Sequence, residues 1–158
     1  MRSLLAIAVT LALFATPVLA QDLKVTVAGR DTVVLTPAEI RALPRAKATI
    51  TVKGQPVTYE GAVLHGALLK AGVVSGERLM GRYLNQVVVI RAADGFSSIL
   101  SIAETDPVYR ANPVILADTV GGQPLDAREG PYRVVVDGDL RPSRSPRAVV
   151  SIEVKAGF

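Results

Sequence analysis

The sequence predicts an α+β domain with a mixed, largely β core and two or three short helices. About seven short segments alternate apolar and polar residues or form brief apolar runs, as strands do. Helical spacing occurs in only two or three places, and proline or glycine soon ends it. Because strands and helices do not follow a regular β-α-β order, a doubly wound parallel sheet is not predicted.

The first third of the domain begins with two strands, predicted at 23–28 and 32–35 from their alternation. A short helix follows. Thr36 can cap it, Pro37 suits its first position and Glu39 completes a capping box. Pro44 stops this helix, with Ile40 and Leu43 on its buried side.

A hairpin and a second helix are expected next. The strands are predicted at 48–52 and 57–59, joined by the turn at 53–56. Residues 60 and 61 lead into a helix over 62–71, which Gly72 ends. Its apolar face is formed by Leu64, Ala67, Leu68 and Ala71, which have the spacing of one helix side.

The C-terminal half is predicted to be mostly strand, at 86–91, 97–102, 113–117, 132–136 and 148–154. A turn at 93–96 joins the first two, residues 102–105 begin a helical turn, and 121–124 form a loop. The runs at 113–117 and 132–136 are continuously apolar, which predicts buried strands. Since no repeat or linker interrupts the pattern, we expect one domain over 21–158.

Residues 1–20 have the three parts of a secretory signal peptide: Arg2, an uncharged apolar run at 4–14, and small residues before a cleavage expected ahead of Gln21. The apolar run is too short for a membrane anchor, which needs about 20 residues. A single arginine indicates a Sec-type rather than a twin-arginine signal. We therefore expect a periplasmic or secreted protein with no membrane span after cleavage.

Composition excludes several classes of protein. The chain has no cysteine and one histidine, so disulfides, thiolate ligands and the usual transition-metal sites are not expected. Its net charge of +4 comes from scattered Lys and Arg with 4% aromatic residues, which does not suggest nucleic-acid binding. No phosphate-binding glycine loop, zinc-protease motif or serine-hydrolase elbow is present, and we predict no catalytic residue.

Some residues are candidates for ligand binding, each with a simpler alternative. His65 is either a proton carrier or ligand contact, or a helix histidine at the border of the core. Asp94 and Ser97 either line a pocket or serve only the turn between two strands. The pair Asp137 and Asp139 either holds a hard cation or forms a solvated turn, and the turn is favoured.

Arginines are dense near the C-terminus. They are Arg133, Arg141, Arg144 and Arg147, and the last three lie in a loop at 141–147 that is too rich in proline for a helix or a central strand. Such a loop either binds phosphate or carboxylate groups or is an exposed, solvated loop.

The order of several segments resembles the oxidoreductase molybdopterin-binding domain, the sulfite oxidase fold, in its short stand-alone form. Residues 35–44 are similar to that family's early helix, 59–69 to its helix entry, and 93–97 to its Asp-Gly-Tyr-Ser turn. The segments 116–118, 122–125, 130–136 and 147–154 follow its C-terminal order. The resemblance implies a mixed, largely β fold that, in the full enzymes, holds a molybdenum–pterin cofactor and oxidises or reduces small oxo-compounds.

The resemblance also implies a cysteine ligand to molybdenum and export in the folded state, whereas this sequence has no cysteine and a Sec-type signal. We therefore expect a non-redox module without cofactor that binds a small anionic ligand or an exported or membrane protein partner. The alternatives are a molybdopterin-dependent oxidoreductase, or a subunit of one, and a sensory or structural domain. The candidate ligand-binding residues are His65, Asp94, Ser97, Asp118, Arg133, Arg144 and Arg147.

Overall fold

Ten strands and three short α-helices form in the computed structural model, which describes residues 21–157. In chain order they are β1 (Leu23–Val27), β2 (Val33–Leu35), α1 (Pro37–Arg41), β3 (Arg45–Val52), β4 (Gln55–Val63), α2 (Leu64–Lys70), β5 (Gln86–Ala92), β6 (Ser97–Ser101), α3 (Ile102–Thr105), β7 (Val114–Val120), β8 (Gln123–Pro124), β9 (Arg133–Val136) and β10 (Val149–Ala156). The predicted single α+β domain with a largely β core is confirmed. The expected signal peptide lies outside the described residues.

The first sheet, sheet A, has the strand order β2-β1-β10-β5-β6. β1 pairs with β10 in parallel, with Val25 opposite Ile152, while the other neighbours are antiparallel. β1 and β10, the first and last of these strands, are therefore neighbours, and β10 lies in the centre of sheet A. Among residues 21–157, no helix has the length and apolar character needed to cross a membrane.

The second sheet, sheet B, has the order β3-β4-β7-β8, and β9 also pairs with β7. It curls until β3 meets the segment that follows β9. The Thr51 amide donates to the Asp139 carbonyl at 2.9 Å, and the Gly138 amide donates to the Thr49 carbonyl at 2.9 Å. The Asp137 carboxylate accepts from the Thr49 amide at 2.7 Å. These bonds satisfy backbone groups that an open sheet edge would leave free.

Two apolar cores lie on the two faces of sheet B. The larger lies between the sheets, where Leu116 of β7 packs with residues of sheet A and with Leu64 and Leu68 of α2. The smaller lies inside the curl and includes Ile115 and Ala117 of β7. Because neighbouring residues of a strand face opposite sides, β7 contributes to both cores. β7 is buried from 114 to 117, and β9 is buried throughout, so the predicted buried strands are confirmed.

The start of α2 was predicted wrongly. Ala62 and Val63 belong to β4, which pairs with β7 through Ala62 and Leu116, and the helix begins only at Leu64. The apolar run fits strand and helix spacing equally well, and pairing with β7 decides in favour of the strand. Residues 123 and 124, expected as loop, form the short strand β8 against β7.

The predicted capping box of α1 is confirmed. Thr36 Oγ1 accepts from the Glu39 amide at 3.3 Å, and the Glu39 carboxylate accepts from the Thr36 amide at 2.8 Å. α3 has a capping box of the same kind, formed by Ser101 and Glu104. These bonds satisfy amides that the first turn of a helix leaves free, which allows helices as short as five and four residues.

Candidate functional site

Arg133 lies in the interior and is 1% exposed. On β9 it shares the inner face of the curl with Val135, two residues on. Its Nη1 donates to the Tyr59 hydroxyl and to Glu129 Oε1, both at 2.7 Å, and its Nε donates to Ser145 Oγ at 2.8 Å. Nη2 is buried and has no hydrogen-bond partner. This arginine therefore joins the inside of sheet B to the C-terminal loop and is not open to solvent.

Arg144 is held by two carboxylates. Its Nε and Nη2 donate to the two Asp139 oxygens at 2.8 and 2.9 Å, and its Nη1 donates to Glu104 Oε1 at 2.7 Å. These hydrogen bonds raise the pKa of the guanidinium above its usual value, and the bonds to Asp139 contribute more than the bond to Glu104. Because charge-assisted pairs of this geometry are strong, Arg144 has little capacity left for an external anion.

Asp118 also has an internal partner. Arg45 donates to its two oxygens at 2.6 and 3.0 Å. Asp118 borders a cleft of about 230 Å³ that it shares with Arg41, Leu125 and Tyr132, among others. None of the other candidate residues lines that cleft.

His65 lies half-buried on α2. Its Nε2 is 3.0 Å from Ser75 Oγ, and its Nδ1 is buried without a hydrogen-bond partner. Burial lowers the pKa of the imidazole, and the charge of Asp106 opposes that shift. The Asp106 carboxylate accepts from the Gly76 and Val108 amides, both at 2.9 Å. This histidine lines none of the clefts that contain the other candidates.

Asp94 and Arg147 are brought together. They line one cleft of about 200 Å³, with Phe96, Ser145 and two prolines, 142 and 146. Asp94 also has the predicted turn role, since its Oδ1 accepts from the Phe96 amide at 2.9 Å. Ser97 is exposed at the start of β6 and is not part of this cleft.

Arg147 lines a second cleft as well. This one, of about 240 Å³, is also lined by Lys53, Asp126, Arg128 and Glu129. The Arg147 side chain is 44% exposed, and its Nε lies 3.7 Å from Glu129 Oε1. We call the two adjoining clefts the Arg147 surface.

The sequence did not identify Lys53, Arg128 and Glu129 as site residues. Lys53 and Gly54 have φ values of 51° and 80° at the turn between β3 and β4, as a two-residue hairpin requires, and this turn was predicted. Asp126 Oδ1 accepts from the Arg128 and Glu129 amides, both at 2.9 Å, which orders the second loop. The sequence predicted the first of these loops, but it did not indicate that the two meet at Arg147.

The carboxylates of Asp137 and Asp139 both have internal partners. Asp137 binds the Thr49 amide, and Asp139 binds Arg144. Among residues 21–157, no three His, Asp or Glu side chains are grouped so as to hold a metal ion.

No protein-family model matches the sequence, and a search of curated proteins found no match. Among solved structures, the chain is similar to one in the crystal structure of the sulfane dehydrogenase SoxCD from Paracoccus pantotrophus, with a TM-score of 0.63. The fold is that of the sulfite oxidase family. The alignment has 16% sequence identity and covers 85% of this chain but 38% of that chain. The expected sulfite-oxidase-like fold is thereby confirmed, and the similarity shows the fold alone.

Proposed function

We propose that this chain is a non-redox module with the sulfite oxidase fold that binds a small organic anion at the Arg147 surface. The observation that carries the proposal is the contrast between Arg147 and two other C-terminal arginines, Arg133 and Arg144. Arg133 and Arg144 are each bonded to carboxylates at 2.7–2.9 Å, whereas Arg147 has one carboxylate, at 3.7 Å. That carboxylate, of Glu129, already accepts from Arg133.

Other charges on the Arg147 surface support an anionic ligand. Lys53 and Arg128 lie in the same cleft as Arg147, and within the described residues neither forms a salt bridge. Of the three acidic side chains of this surface, Asp94 and Asp126 accept from backbone amides, and Glu129 accepts from Arg133. Phe96 and the two prolines give the neighbouring cleft an apolar wall, which suits an anion with a hydrocarbon body.

The molybdenum–pterin group that the resemblance implies does not fit these residues. The sequence has no cysteine to supply a thiolate, and thiolate is the ligand the resemblance requires. The one histidine has its Nε2 on Ser75 and its Nδ1 buried. The guanidiniums of Arg133 and Arg144 are already bonded to the carboxylates of Glu129 and Asp139. We therefore propose a module without molybdopterin. Because residues 1–20 resemble a signal peptide, we propose that the module acts after export.

Calorimetric titration of the purified protein with succinate and with benzoate tests the anion site. We expect saturable binding that Arg147→Gln weakens about tenfold or more, because a charge-assisted hydrogen bond contributes about 1.5–3 kcal/mol. Arg91→Gln is the matched control, since it removes the same charge from a neighbouring strand and changes neither cleft. If both variants lose the same affinity for the anions, the effect is one of general charge, and a site at Arg147 is refuted.

A second measurement tests the cofactor and partner statements. Protein purified from a host that makes the molybdenum cofactor should contain far less than one molybdenum per chain by mass spectrometry. Stoichiometric molybdenum would refute the proposal. If neither anion binds and an exported protein co-purifies with the wild type but not with Arg147→Gln, the surface serves a protein partner instead. Edman sequencing that begins at Gln21 would support export.

A further inference from the structure

A further cleft lies at the other end of sheet A. It has a volume of about 310 Å³ and is formed where the loop after β1 meets the end of α2 and the start of β5. Its lining includes Arg30, Gly72, Tyr83 and Gln86. β5 runs from Gln86 to Ala92, two residues before Asp94, so this cleft and the Arg147 surface are about 20 Å apart along the strand.

The Arg82 guanidinium lies against the Tyr83 phenol. Arg82 Nη2 donates to the Tyr83 hydroxyl at 3.2 Å, and the Arg82 Cζ lies 5.1 Å from the centre of the Tyr83 ring. Tyr83 in turn lines the cleft together with Arg30. The hydrogen bond and the charge of Arg82 lower the pKa of the phenol, and the charges of Arg30 and Arg78 lower it further.

Internal partners do not account for these charges. Within the described residues, none of Arg30, Arg78 and Arg82 forms a salt bridge, and neither do the adjacent acids Asp31 and Glu77. Stacking on Tyr83 accounts for the place of Arg82. The charges of Arg30 and Arg82 are therefore available to an anionic ligand.

The Arg30 side chain lies beside the end of α2. Gly72 follows α2 with a φ of 86°, and a Cβ at this position would lie 2.9 Å from Arg30 Nη1 and 3.2 Å from its Cζ. The Arg30 guanidinium therefore lies directly against Gly72, within the cleft lining.

We infer that this cleft binds a phosphate-type dianion, free or carried by a larger molecule, through the guanidinium of Arg30 in its lining and that of Arg82, which is bonded to the lining residue Tyr83. Planar guanidiniums donate paired hydrogen bonds that match phosphate oxygens. The Gln86 amide and the Tyr83 hydroxyl add two uncharged donors within the same lining. The site is distinct from the Arg147 surface and does not depend on the function proposed there.

Calorimetric titration with inorganic phosphate, in a HEPES buffer of fixed ionic strength, tests the inference on the purified protein. We expect saturable binding that the double variant R30Q/R82Q weakens at least tenfold. Arg82→Lys should give an intermediate loss, because it keeps the charge but not the paired donors. Arg91→Gln is the control, since it removes the same charge from β5 and Arg91 does not line this cleft, and it should bind phosphate as the wild type does.

Two further arms decide the source of the phosphate and guard against non-specific attraction. Sedimentation with phosphatidylglycerol vesicles, compared with phosphatidylcholine vesicles, would assign a lipid headgroup if R30Q/R82Q abolishes it and free phosphate does not bind. If the protein binds neither phosphate nor phosphatidylglycerol vesicles, the inference is overturned. Phosphate binding that R30Q/R82Q leaves unchanged, or that chloride at equal ionic strength removes completely, would overturn it as well.

Discussion

Arg133 carries a positive charge into the interior of sheet B, where Glu129 is its only carboxylate partner among the described residues. The guanidinium Cζ lies 4.8 Å from the centre of the Tyr59 ring and its nitrogens bond Tyr59 and Ser145, so one side chain links β4, β9 and the C-terminal loop. Burial raises the pKa of the Tyr59 phenol, which keeps that hydroxyl protonated over the physiological range. The contact is therefore structural, and it fixes the loop that carries Arg147.

Replacing Arg133 with methionine should lower the free energy of unfolding by about 3 kcal/mol, because it breaks a mostly buried ion pair and leaves Glu129 only the more distant Arg147. Urea denaturation measures the change. The control is Arg91→Met, which breaks the exposed pair with Glu153 and should cost about 1 kcal/mol or less. If the two variants lose the same stability, the interior network contributes nothing specific.

His65 should make stability depend on pH. Burial holds the pKa of the folded imidazole below its value of about 6.5 in the unfolded chain. Its contribution is therefore complete above pH 6.5 and is lost as pH falls toward the folded pKa, because the unfolded chain then binds the proton more tightly. His65 is the only histidine. His65→Gln should therefore flatten the curve of unfolding free energy between pH 7 and 5, and an unchanged slope would contradict this assignment.

At the scale of residues, the sequence predicted the arginine-rich loop, but it did not show which arginines have carboxylate partners. Arg144 is neutralised by Asp139, five residues away, and by Glu104, forty residues away. Only the fold brings Glu104 to that position, so spacing could not separate the occupied Arg144 from the exposed Arg147. Arg133 was placed correctly in a buried strand, yet its bond to Tyr59, across 74 residues, has no local signal.

At the scale of elements, Gly61 sets how closely β4 approaches β7. A Cβ at Gly61 would lie 2.0 Å from the Leu116 carbonyl oxygen and 2.5 Å from the Ala117 Cα, at the point where the strand register shifts. These are backbone atoms of a central strand, which cannot move without opening the sheet. Gly66 of α2 differs, since a Cβ there would lie 3.4 Å from the nearest atom, Leu43 Cδ2.

The two glycines make a matched pair of alanine variants. Gly61→Ala should cost more than about 2 kcal/mol of unfolding free energy, through overpacking between two strands. Gly66→Ala should stabilise the protein by about 0.5–1 kcal/mol, because alanine favours helix. Thermal and urea unfolding of both variants measures the difference, and a tolerated Gly61→Ala would show that the strands can separate freely.

Elements with local signals were predicted well, and elements defined by pairing were not. The box of Thr36 and Glu39 identified α1, because its hydrogen bonds join residues three apart. The extension of β4 to Val63 and the pairing of β8 depend on β7, which lies more than 50 residues from β4. No residue pattern indicated that β1 and β10 would be neighbours in parallel.

At the scale of the whole molecule, β7 ties the two cores together. Leu116 belongs to the core between the sheets, and its neighbours Ile115 and Ala117 belong to the core inside the curl. Neither core can lose β7 without exposing the other, so we expect a single cooperative unfolding transition. Far-ultraviolet circular dichroism and tyrosine fluorescence should give coincident melting curves. Two separated transitions would show that the cores unfold independently.

The parallel pairing of β1 with β10 also bears on the order of events during synthesis. The strand made first cannot find its partner until residues 149–156 exist, and without β10 sheet A falls into two separate pairs of strands. Contacts between such distant segments slow folding. During synthesis from the N-terminus, β1 can therefore pair only with β2, and its other edge stays open until β10 has been made.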